Sequence, residues 1–117
     1  MERAHLTAAT ELGRISVSSE AIAQLVAHTT SECYGIVGMA SRGRLPRLLA
    51  RNRLTKGIVV ERRDDGISID LHVVVEYGLK LTEVAATVRS RVAYEVERLT
   101  GLTVSVVEVH VEDVRRG

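Results

Sequence analysis

The sequence has no tryptophan, no phenylalanine and only three tyrosines. A protein that binds single-stranded nucleic acid stacks bases on aromatic side chains, and few such side chains are present here. The hydrophobic residues, 45% of the chain, are almost all aliphatic, so valine, leucine and isoleucine must fill the interior. With 117 residues, the chain is long enough for one domain with a modest core.

Cysteines and long apolar runs are also scarce. The single cysteine, Cys33, cannot form an internal disulfide, so it does not indicate an oxidising compartment. No run approaches the ~18 apolar residues of a membrane span, and the first residues lack the apolar segment of a signal peptide. We therefore expect a cytoplasmic protein without a transmembrane segment of its own, and a flexible N-terminal arm over residues 1–12.

The first half of the chain predicts a strand, a helix and a second strand. Residues 13–18 alternate apolar and polar side chains, as a half-buried strand does. Ser18 or Ser19 can cap a following helix, which Gly35 closes. Residues 35–40 are apolar and bounded by glycine, and they predict a short, fully buried strand.

The second half predicts a hairpin and a long helix. The turn Asp65-Gly66 lies between two alternating runs, which is a strong hairpin signal. Residues 81–100 carry an apolar stripe, and Gly101 suits a C-terminal helix cap. The stripe comprises Leu81, Val84, Val88, Val92, Val96 and Leu99.

The last strand, residues 102–114, changes phase from even to odd apolar positions. A bulge at Val106-Val107 would restore one inward face; alternatively, the strand continues into another layer or another subunit. The element order β-α-β-β-β-α-β predicts an α/β (α+β) fold, a single-domain two-layer sandwich over residues 13–114. We expect a mixed sheet with two main helices on one face.

Several motifs occur in a fixed order along nearly the whole chain. The most specific are Thr55-Lys56-Gly57 before a strand, Glu76-Tyr77-Gly78 closing the long strand, and Thr100-Gly101 before a final strand that contains His110. Together with GRISVSSEAIAQLVAH and YGIVGMA, they resemble the bacterial alkaline shock protein family, also called the envelope stress response family.

The resemblance implies a non-enzymatic protein of mainly Gram-positive bacteria, linked to cell-envelope stress and often self-associating. In some members a separate anchor protein holds it at the membrane. The resemblance carries over no catalytic residue, and we predict no cofactor and no bound metal.

A basic stretch, residues 42–57, contains six cations and no acid in a chain of net charge +1. The rest of the chain has ten cations and fifteen acids, a net charge of −5. The stretch is a solvated connector, a contact surface for protein, or a site for lipid or nucleic acid. If functional, it predicts an electrostatic contact with a second copy or with a membrane-anchored partner protein. The candidate contact residues are Arg44, Arg47, Arg51, Glu76, Glu108, His110 and Glu112.

A nucleic-acid-binding regulator is the alternative function, and it would use the same arginines. Gly35-Ile36-Val37-Gly38 superficially matches the GxxG loop of a KH module, which clamps a phosphate backbone. The two middle residues of such a loop are polar or basic and exposed, whereas Ile36 and Val37 fit a buried strand. Nucleic acid is therefore the less favoured partner.

A metal-dependent enzyme is a third hypothesis. Two predicted strands carry polar rows, Asp70, His72 and Glu76 on one and Glu108, His110 and Glu112 on the other. If the strands were neighbours, two imidazoles and a carboxylate could converge on zinc. Alternating strands often produce such rows, so a solvated or interfacial sheet face is the simpler interpretation.

Cys33 and His28 lie about 140° apart on a helix and cannot pair for nucleophilic catalysis. Cys33 is then a small buried residue at a helix end.

Overall fold

The computed structural model describes residues 5–10, 13–40 and 57–116, which form six strands and two helices. In chain order these are β1 (His5–Thr10), β2 (Gly13–Ser18), α1 (Ser19–Ser31), β3 (Ile36–Met39), β4 (Ile58–Arg63), β5 (Gly66–Glu76), α2 (Leu81–Thr100) and β6 (Val104–Arg115). From β2 onward, this is the predicted element order. The α/β fold with a mixed sheet is confirmed.

Strand β1 lies within the predicted N-terminal arm and was not expected from the sequence. It pairs antiparallel with β2, from His5 opposite Ser18 to Thr10 opposite Gly13, in a two-stranded sheet separate from the main sheet. The residues between the two strands are Glu-Leu, not the Asn-Gly or Asp-Gly that marks a tight hairpin. The domain bounds 13–114 stay a prediction.

Both helices begin or end where local chemistry predicts. The Ala21 amide donates to Ser18 Oγ at 3.0 Å, so Ser18 caps the start of α1. Helix α1 ends at Ser31, a few residues before Gly35. Gly101 ends α2 in a left-handed conformation, with φ of 76°. Neither helix in the described part of the chain is long and apolar enough to cross a membrane.

Strand β5 is the centre of the main sheet. Along one edge it pairs antiparallel with β4 and then with β3, and along the other edge it pairs in parallel with β6. Because α2 connects β5 to β6, these elements form a β-α-β unit, the usual way to join parallel neighbours. Arg63 pairs with Gly66, so the β4–β5 turn is Asp64-Asp65, one residue earlier than predicted.

The core lies between the helices and one face of the sheet, which we call the helix-covered face. The buried cluster consists of Ile22, Val26, Cys33, Ile67, Ile69, Leu71, Val73, Val75, Val84, Val88, Val92, Val96 and Val107. Four valines of α2 belong to it, as the apolar stripe predicts. Leu81 and Leu99 are 38% and 52% exposed, because they lie in the first and last turns of the helix.

The burial of β3 and the position of the bulge in β6 differ from what the sequence predicts. Strand β3 is not fully buried: Val37 is exposed, because the pairing with β5 shifts register between Ile36 and Gly38 and leaves Val37 without a partner strand residue. The bulge in β6 inserts Ser105, just before the predicted Val106-Val107. The Ser105 hydroxyl donates to the Ile67 carbonyl at 2.9 Å, and the bulge brings the following odd-numbered valines onto the helix-covered face.

Candidate functional site

The other face of β5 and β6 is rich in ionisable side chains, and we call it the polar face. Strand β5 contributes Ser68, Asp70, His72, Val74 and Glu76, and the register places Val106, Glu108, His110, Asp113 and Arg115 of β6 beside them. The β5 members are buried or half-buried, whereas the β6 members are exposed. The polar face therefore has an enclosed central row and an accessible outer row.

The register brings like groups together in pairs. Asp70 lies opposite Glu108, and His72 lies opposite His110. Neighbouring strands are about 4.8 Å apart, so opposite side chains on one face are in contact. The two polar rows are therefore on neighbouring strands, the condition on which the metal hypothesis depended.

Four of these side chains and Glu112 of β6 form a compact group, which we call the acid–histidine cluster: Asp70, His72, Glu108, His110 and Glu112. The rings of His72 and His110 stack, with centroids 4.6 Å apart and planes 14° from parallel. His72 Nδ1 lies 2.6 Å from Glu112 Oε2, and His110 Nε2 lies 3.3 Å from Asp70 Oδ1. His72 is 7% exposed, so its hydrogen bond to Glu112 satisfies a buried ring nitrogen.

A second irregularity in β6 aims Glu112 at His72. Val73 pairs with Val111 and Val74 pairs with Asp113, so Glu112 is an inserted residue without a partner in the register. Bulges re-aim side chains and are frequent at functional positions. Here the carboxylate lies against the imidazole rather than beside Val74.

The structure assembles part of the predicted contact surface. Glu108, His110 and Glu112 belong to the acid–histidine cluster. Glu76 lies at the end of β5 opposite Arg115, roughly 13 Å along the strand from His72. Arg44, Arg47 and Arg51 lie outside the described residues, so the basic half of the surface stays a prediction.

Asp70 and His72 were absent from the predicted contact surface, although both were named as candidate ligands. Their alternation along one strand was visible in the sequence. The missing information was that β5 and β6 are neighbours, in a register that sets His72 beside His110. A long helix between two alternating runs signals a parallel pair, but it does not give the register.

A charge pair closes the end of the polar face. Arg115 Nε donates to Asp113 Oδ2 at 3.0 Å. This bond, followed by the hydrogen bond from the Val114 amide, lowers the pKa of Asp113. Arg115 thus has an acidic partner of its own, next to the acid–histidine cluster.

Cys33 does not contribute reactive chemistry. Its side chain is buried, Sγ donates to the Thr29 carbonyl at 3.4 Å, and burial raises the pKa of the thiol. His28 Nε2 instead lies 3.3 Å from Glu32 Oε2 on the exposed side of α1. A buried thiol with a raised pKa is a poor nucleophile, which agrees with its role as a small core residue.

The chain matches a known protein family along nearly its whole length. Residues 7–116 match the alkaline shock protein 23 family, which is described as having a cell envelope-related function. No solved structure matches the chain.

The relatives come from Gram-positive bacteria. The chain is 37% identical over 110 residues to the uncharacterized protein YloU of Bacillus subtilis (strain 168), covering 91% of this chain and 92% of that one. It is 36% identical over 110 residues to the uncharacterized protein Spy1614 of Streptococcus pyogenes serotype M6, covering 91% of each chain. Since the family match and both alignments span nearly its full length, the chain belongs to the alkaline shock protein 23 family.

Proposed function

We propose that this protein is a non-enzymatic, self-associating scaffold that docks to an envelope-linked partner. The observation that carries the proposal is the exposed acidic row of β6 on the polar face, which includes Glu108 and Glu112. Among the described strands, β6 pairs only with β5, so its outer side is available for contact. The family's cell envelope-related function supports the link to the envelope.

The contact we propose joins opposite charges. The basic stretch, residues 42–57, carries six cations, and the rest of the chain has a net charge of −5. The basic stretch of one copy, through Arg44, Arg47 and Arg51, binds the acidic β6 row and Glu76 of the next copy. In a head-to-tail contact, each added copy still has one unused basic surface or one unused acidic surface. Further copies can therefore bind until the chain of subunits closes into a ring or extends as a filament.

Two features away from the polar face offer little for catalysis. A shallow groove on the outer side of α2 is lined by Ala86, Thr87, Ser90, Arg91 and Tyr94. These residues include no carboxylate, imidazole or thiol that could act as a general base. The thiol of Cys33 is buried. Both observations support a binding role over an enzymatic one.

The cellular place we propose is the cytoplasm, at the inner face of the membrane, through a membrane-anchored partner protein. The basic stretch contacts that partner or a second copy by the same charge complementarity. Direct lipid binding makes a different prediction, because it would occur on protein-free vesicles. Purified protein should therefore not float with phosphatidylglycerol vesicles at physiological salt, whereas the cellular protein should float with native membranes.

Charge reversal tests the self-association. The variant Arg47→Glu with Arg51→Glu should weaken association by about tenfold or more, since four units of charge change at the contact. Analytical ultracentrifugation over a concentration series measures this, with EDTA present so that metal ions do not contribute. Adding Glu76→Arg and Glu108→Arg to the same chain should restore association.

The matched control reverses two other exposed arginines, Arg62→Glu with Arg63→Glu, at the end of β4. This variant has the same net charge as the first, so it should associate as the wild type does. Equal weakening by both variants would mean that net charge alone matters and would reject the contact. Nuclease-sensitive binding that falls steeply with salt would instead favour the nucleic-acid regulator.

A further inference from the structure

Two carboxylates oppose each other on the polar face. Asp70 and Glu108 are direct partners in the parallel register. Like charges in this position destabilise a sheet. His110 Nε2 lies 3.3 Å from Asp70 Oδ1. Two opposed carboxylates beside an imidazole nitrogen are therefore an arrangement that a bound cation would stabilise.

The same three residues have the geometry of a metal site. One ligand atom from each of Asp70, Glu108 and His110 lies within 4.8 Å of the other two. Ligands about 2.1 Å from a tetrahedral ion are roughly 3.4 Å apart, so the ligand atoms need to approach one another by at most about 1.4 Å. Glu108 is exposed and Asp70 is half-buried, so both carboxylates have room to rotate toward His110. Water can occupy the remaining coordination position.

The neighbouring histidine holds the site in place. His72 is buried, hydrogen-bonded through Nδ1 to Glu112, and stacked on the His110 ring. Stacking on a ring that is itself fixed restricts the rotation of His110. Partners that orient a ligating imidazole commonly strengthen metal binding. His72 is thus a positioning residue, and Glu112 fixes His72.

We propose that Asp70, Glu108 and His110 bind one divalent transition-metal ion, with zinc as the best-suited probe. One imidazole and two carboxylates suit zinc and similar first-row ions, whereas calcium and magnesium prefer oxygen ligands alone. All three ligands come from one chain. The site therefore does not depend on the proposed self-association.

Calorimetric titration with zinc chloride tests the site. The full chain, prepared without a histidine tag and kept at neutral pH, should bind one zinc ion. His110→Ala and Glu108→Gln should each weaken binding by about tenfold or more, because each removes a ligand. Circular dichroism checks that both variants are folded. The variant Arg47→Glu with Arg51→Glu should bind zinc as the wild type does. A failure of the proposed self-association can therefore be distinguished from a failure of the zinc site.

The matched control is His28→Ala. His28 is also exposed and lies 3.3 Å from a carboxylate, that of Glu32, but outside the acid–histidine cluster. This variant should bind zinc as the wild type does. Nuclear magnetic resonance of the wild type gives a readout without substitution: zinc should shift the ring signals of His110 before those of His28. No zinc binding by the wild type, or equal affinity in the His110→Ala variant, would overturn the proposal.

Discussion

Val73 and Val74 are adjacent in β5 and nearly equally buried, at 0% and 2% exposed, yet they lie on opposite faces of the sheet. Val73 belongs to the buried hydrophobic cluster with the valines of α2. Val74 is outside that cluster and lies between Gly38 of β3 and Asp113 of β6. The two valines are therefore buried for different reasons. The helices cover Val73 on the helix-covered face, whereas residues of the neighbouring strands β3 and β6 cover Val74 on the polar face.

The two faces differ in how much stability they supply. Burying a valine or leucine on the helix-covered face contributes about 1.5–3 kcal/mol. Exposed charged side chains like those that β6 places on the polar face contribute little, because water screens their interactions. The polar face can therefore carry paired carboxylates and stacked histidines without loss of the fold, because the other face determines the register of β5.

The largest expected effect separates these two causes of burial. Val73→Ala should lower the free energy of unfolding by about 2–3 kcal/mol, because the cavity lies within a tightly packed core. Val74→Ala should cost about 1 kcal/mol, since its neighbours include polar groups that water can reach. Urea denaturation followed by circular dichroism measures both. Equal costs would break the comparison and indicate that a further part of the chain packs over the polar face.

An intermediate effect concerns the buried hydrogen bond of the polar face. A double-mutant cycle of His72→Ala and Glu112→Gln should give a coupling free energy of about 1 kcal/mol, since one partner is buried and the other is half-exposed. The control is the same cycle at His28 and Glu32, which are both largely exposed. That pair should couple by less than about 0.5 kcal/mol. If the control coupled as strongly, the bulge at Glu112 would have no special role.

The smallest expected effect has the opposite sign. Glu108→Gln should raise the free energy of unfolding by about 0.2–1 kcal/mol in EDTA, because it removes the like charge opposite Asp70. Glu61→Gln is the control: this exposed residue of β4 lies opposite Ser68, so no gain is expected. In saturating zinc, the benefit of Glu108→Gln should be lost, since the wild type then gains binding energy. Destabilisation in EDTA would contradict the repulsion.

The sequence by itself determined the positions and types of most elements. Valines at 84, 88, 92 and 96 predicted a buried stripe, Ser18 and Gly101 marked helix ends, and the alternation around Leu71 predicted a strand. These features depend on local periodicity and local hydrogen bonds, which neighbouring residues decide. The ordered motifs also identified the family, which the full-length match confirmed.

Only the tertiary structure decided which of the strands distant in sequence are neighbours, and in what register. The sequence did not predict that β6 would lie parallel to β5, that Ser105 and Glu112 would be the inserted residues, or that β1 would pair with β2. The acid–histidine cluster depends on the parallel pairing of β5 with β6 and on the two inserted residues. His72 and His110 are 38 positions apart and meet only because α2 returns the chain to the sheet. Strand pairing and register arise from packing between distant segments, and alternation along one strand contains no information about its partner.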